Sequence, residues 1–151
     1  MAYVRRCWDV QTGMFHYALT GGGGFGASRG MMGAGILSLS MAGQHQTPMA
    51  LAAGDWLLAH PFGNFGELIG TWDKFFYSTY YCSQAAAQLG GRYWEKFFPP
   101  MVEMLLSVQS ADGSWPPEPG GGVAIFGNVL TTALAVLSLT PPYQLLPVYQ
   151  R

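Results

Sequence analysis

From Tyr93 to Ser110 the apolar residues Trp94, Phe97, Phe98, Met101, Val102, Leu105 and Leu106 recur at threes and fours, which is one face of an amphipathic helix. Other helix-length runs are apolar or small on nearly every side, as expected of helices packed within a bundle. The pattern predicts helices at Ala2 to Trp8 (a partial one), Arg29 to Ala42, Pro48 to His60, Trp72 to Leu89, Arg92 to Ser110 and Gly127 to Leu139. Pro48 suits a first helical turn, where its missing N–H is harmless. Gly43 and Gly90 stand where helices should stop.

The chain resembles itself. Around Gly13 it reads VQTGMFHYALTGGGGFG and then a helical run ending ILSLS; around Gly113 it reads SADGSWPPEPGGGVAIFG and then a run ending VLSLT. Gly13 and Gly113 stand 100 positions apart, and Phe15/Trp115, Leu37/Leu137 and Leu39/Leu139 share that offset. A third copy, Tyr81 to Gly90, matches Gly33 to Gly43 and falls about midway, so the unit has the length of a two-helix repeat. Alternate helices are rich in Ala, Gly and Ser and suit close packing in the middle; the amphipathic ones belong outside. The expected fold is all-α, one α/α repeat domain spanning residues 1–151.

Composition narrows the function. Of 151 residues half are apolar, 15% are aromatic and only 10% are charged, with a formal charge of −1 and no block of either sign. That excludes an electrostatic nucleic-acid binder, which needs a basic patch to release counterions from phosphate. It also argues against disorder, since this much apolar surface can bury itself. Met31 to Gly54 and Pro119 to Gln150 contain no Asp, Glu, Lys or Arg. In the second, Asn128, Thr131, Thr132 and Ser138 interrupt the apolar run, so burial in a helical protein is preferred to spanning a bilayer. No signal peptide is visible, and the expected location is the cytoplasm, with membrane association left open.

Gln109-Ser-Ala-Asp-Gly113-Ser-Trp115, preceded by Tyr93-Trp94 and an amphipathic helix, resembles the QW motif of squalene and oxidosqualene cyclases. Gln11-Thr-Gly13-Met-Phe15 resembles a degenerate copy, with Phe in the place of Trp. The run from Tyr80-Tyr81 to Leu89-Gly90-Gly91, followed by Trp94, is similar to prenyltransferase and squalene-oxidase repeats. The resemblance implies an α/α toroid, with alternating inner and outer helices joined by Gly-rich loops. It also implies structural roles for Gln109, Gly113, Trp115, Gln11, Gly13 and Phe15. The Gln amide would cap the carbonyl end of an outer helix, and the aromatic ring would stack on it. A closed toroid of that family uses five to seven helix pairs, and this chain supplies about half a ring. The expectation is therefore a C-terminal piece of a larger toroid, or copies that associate to complete one.

Chemistry is thinly signalled. The clustered Asp-x-Asp-Asp acid of class II terpene cyclases is missing, since Asp9, Asp55, Asp73 and Asp112 are isolated in sequence. Zinc in the manner of protein prenyltransferases would need Cys82 with His16, His45 or His60, but the Asp-x-Cys signature is absent; no metal and no cofactor are expected. Cys82 reads more simply as a small buried hydrophobe. Gly21, Gly23 and Gly26 match G-x-G-x-x-G without the strand and acid a dinucleotide site needs, and read as an inter-repeat loop, as do Gly120 to Gly122. The Gly-Cys-Gly-Glu-Gln element of thioester domains is missing too. Aromatic residues crowd Trp72, Phe75, Phe76, Tyr77, Tyr80 and Tyr81, either as core packing or as the lining of a cavity. Tyr77, Tyr80, Tyr81 and Phe76 are the candidate ligand-binding residues.

The expected function is thus a partial toroid domain that binds an isoprenoid or other apolar ligand without a complete active site of its own. If a parent protein is an enzyme, the resemblance implies a terpene cyclase or prenyltransferase. The alternative is a non-enzymatic helical-repeat scaffold that binds protein or peptide on its concave face. Monotopic attachment to one membrane leaflet, as in squalene cyclases, is compatible with the resemblance.

Overall fold

Two of the helix starts are fixed by side chains that accept otherwise unpaired N–H groups. Ser28 Oγ accepts from Met31 N (3.1 Å) and Thr47 Oγ1 from Ala50 N (3.4 Å), with Pro48 in the first turn of the second helix. The structure, a computed structural model, describes residues 2–19, 28–67, 69, 73–118 and 126–143. These form α1 (Ala2–Arg6), α2 (Arg29–Met41), α3 (Pro48–Ala59), α4 (Phe75–Leu89), α5 (Gly91–Ser107) and α6 (Gly127–Leu139). Among the described residues the structure is all-α apart from one two-residue strand pair, and a helix stands at each place the pattern predicts one. Gly43 and Gly90 adopt φ of 70° and 68°, conformations that end α2 and α4 at little cost for glycine.

The first predicted helix is shorter than expected. Trp8 leaves it to form β1 (Trp8–Asp9), antiparallel to β2 (Met14–Phe15), with Trp8 opposite Phe15. Asp9 causes the change: its carboxylate accepts from Gln11 N and from Thr12 Oγ1, each at 2.8 Å, folding the chain into a turn. A 3₁₀ turn, Pro141–Tyr143, follows α6.

The helices pack in two rows. α4 lies between α2 and α6, while α3 and α5 pack on each other behind them, α3 against α2 and both against α4. Small residues allow the close approach. A Cβ on Gly33 would stand 2.7 Å from the backbone of Tyr81 and Cys82, and one on Gly30 would meet Ser78 Oγ at 2.9 Å. Position 30 thus faces 78 and position 33 faces 81–82, so α2 and α4 run parallel. Ile36, Leu39, Ala53, Phe75, Ala85 and Leu105 fill the space between the rows.

Two prolines sit inside α5, at Pro99 and Pro100. They deprive the carbonyls of Glu95 and Lys96 of their usual donors. All four residues are exposed, so water can replace the lost bonds and the helix continues.

Candidate functional site

α4 is the centre of the molecule, and both its ends and its open face carry polar chemistry. At its N-terminus Lys74 provides no side-chain cap; instead Glu118, buried and 42 positions away, accepts from Phe76 N at 2.8 Å. A carboxylate there also meets the positive end of the helix dipole. Just before the helix, Asp73 accepts from Ser78 Oγ (2.5 Å), Ile69 N (3.2 Å) and Arg29 Nε (2.7 Å). Arg29 also donates to the carbonyls of Pro61 (3.1 Å) and Glu67, and its guanidinium lies 3.9 Å over the Phe62 ring. Arg29 and Asp73 are both fully buried, and every one of these groups is partnered. The cluster is a clasp holding Pro61, Glu67 and Ile69 to α2 and α4.

Sequence reasoning set Asp73 aside as an isolated acid, saw Arg29 only as a helix start and passed over Glu118. The available signal was Arg29 itself, a charge at the head of a long uncharged run. Cys82 packs beside this clasp with its Sγ donating to Arg29 O at 3.1 Å. Burial, reinforced by the Asp73 charge, pushes its thiol well above the ordinary value.

On the open face of α4, Tyr77 and Tyr81 have ring centroids 4.6 Å apart and Tyr80 and Tyr81 5.0 Å apart. Tyr77 is 42% exposed, and Tyr80 and Tyr81 are half-buried. Tyr77 lies on bare Gly30, which leaves room for its ring. Its phenol is pushed up to about 12, first by burial and then by the phenols of Tyr81 and Tyr17. At neutral pH Tyr77 is therefore an uncharged hydrogen-bonding group at the rim of an aromatic face. Phe76 does not join them. It is fully buried, packed on Phe75 (5.3 Å) and Phe65 (5.7 Å), because its position turns inward from the tyrosine face. Trp72 lies outside the described residues, as do Gly21, Gly23, Gly26 and Gly120 to Gly122.

The residues that resemble a QW motif come together, with bonds other than those the resemblance implies. Gln109 Nε2 donates to Gly113 O (2.9 Å), closing its own turn, in which Gly113 takes φ 85°. The helix-capping donor is the tryptophan: Trp115 Nε1 gives its hydrogen to Leu105 O near the end of α5 at 2.8 Å. An indole N–H reaches that carbonyl because the ring is buried against the helix, whereas Gln109 stays exposed beyond its end. The amide that does cap a helix end is Gln84, whose Nε2 donates to Leu137 O of α6 (3.1 Å), beside Ser83 Oγ donating to Ser138 O (2.5 Å).

In the first copy Gln11 is exposed and gives only its backbone N–H to Asp9, Gly13 takes φ 67°, and Phe15 is buried edge-on to Trp8 at 4.9 Å. The copies share one further contact. Phe15 N points to Met32 Sδ (3.4 Å), and Trp115 N donates to Thr132 Oγ1 (3.0 Å), both partners lying at the 100-residue offset.

The histidines are dispersed. His60 ends α3, bonded to Trp56 O (2.8 Å) and stacked on the Trp56 ring; His16 Nε2 lies 3.4 Å from Asp9 Oδ2; His45 sits in the α2–α3 turn. Among the described residues no group of three His, Cys, Asp or Glu could hold a metal, and no helix is long and apolar enough to cross a membrane. The cleft between α3 and α5, lined by Leu57, Phe62, Phe97 and Met101, measures about 20 Å³, room for a water and no more. No protein-family description, characterised protein or solved structure matches the chain.

Proposed function

We propose that this chain is an arc of an α/α toroid that binds an apolar ligand, of isoprenoid or similar character, against Tyr77, Tyr80 and Tyr81. The observation that carries this reading is the clustering of the exposed Tyr77 with the half-buried Tyr80 and Tyr81 on one face of the central helix. Aromatic faces offer an apolar chain large contact area, and neutral phenols at the rim orient a polar head group without charge. The row of α2, α4 and α6 backed by α3 and α5 supports the arc, as do the paired contacts of Phe15 and Trp115. Arg29, Asp73 and Glu118 are committed to holding α4 in place, so the chain alone binds rather than catalyses.

Fluorescence titration with a dansylated farnesyl analogue tests the reading. Saturable binding should weaken at least about tenfold in Tyr77→Ala and Tyr81→Ala, since each removes an aromatic contact surface. Binding no tighter than to an unrelated apolar protein, or unchanged in both variants, would overturn it. A second reading, a helical-repeat scaffold for protein partners, is favoured by the apolar surface of α6, where Val129 is 77% exposed.

A further inference from the structure

We draw no further inference here: the strongest candidate, the exposed apolar side of α6 carried by Phe126, Val129 and Val136, is an unpartnered helix face, and nothing in the structure shows what covers it.

Discussion

The ring of Phe15 occupies the space that a side chain on Gly35 would need: a Cβ there would overlap the ring edge at Phe15 Cδ2. The ring is 3% exposed and cannot swing into solvent without leaving the core. Gly35→Ala should therefore destabilise the fold by about 1–3 kcal/mol, the cost of overpacking. Urea denaturation checks this, and Phe15→Leu in the Gly35→Ala background should restore part of the loss. Full additivity of the two changes would contradict the contact.

The Arg29–Asp73 clasp predicts an asymmetric response. Asp73→Asn leaves a buried guanidinium without its counter-charge and should cost about 3–5 kcal/mol. Arg29→Lys should fare little better, because an ammonium cannot reach Asp73, Pro61 O and Glu67 O together as the guanidinium fork does. Limited proteolysis should then cut first between 61 and 69, the loop the clasp retains.

Asp9 should titrate below the ordinary carboxylate value, held down first by the Thr12 hydroxyl and then by the Gln11 N–H. A depressed folded-state value means that its contribution is fully present above about pH 4 and is lost as pH falls through the lowered midpoint. Carboxyl-carbon NMR of Thr12→Val should show the Asp9 midpoint rising towards the ordinary value. An unmoved midpoint would remove the hydroxyl as the principal cause.

Tyr77 should ionise near pH 12, where a free phenol ionises near 10. The folded state then holds its proton longer than the unfolded one, so this tyrosine's stabilisation is intact below about pH 10 and falls away between the two values. Absorbance at the phenolate band should show Tyr81→Phe lowering the Tyr77 midpoint, since the Tyr81 hydroxyl both bonds it and repels its anion.

Helix positions were legible because they depend on local signals: Thr47-Pro48 opens α3, Gly90 closes α4, and the spacing of Phe97, Met101 and Leu105 marks the inner side of α5. The repeat was legible too, and the matching bonds of Phe15 and Trp115 follow it. What the sequence withheld were pairings between distant residues. Nothing near Glu118 announces that it serves Phe76, and nothing near Arg29 points 44 positions on to Asp73. The crowding of the tyrosines was legible, but that Phe76 turns inward while Tyr77 turns outward depends on where α2 and α6 flank α4. The Gln109 and Trp115 assignment failed because residue type names the donor without fixing which carbonyl it can reach.

The remote cap on α4 has a consequence for the order in which the molecule is completed. α4 is the helix around which the others are arranged, yet its first turn has no acceptor of its own and waits for Glu118. A growing polypeptide that has emerged as far as α5 thus carries its central helix with one end unfinished. The final turn of α6 is in turn sealed by Gln84 and Ser83 from α4. The two helices finish one another, so the transition to the native state belongs to the whole chain rather than to its early portion. A nascent chain stalled after α5 should remain soft at its heart until the last helix arrives.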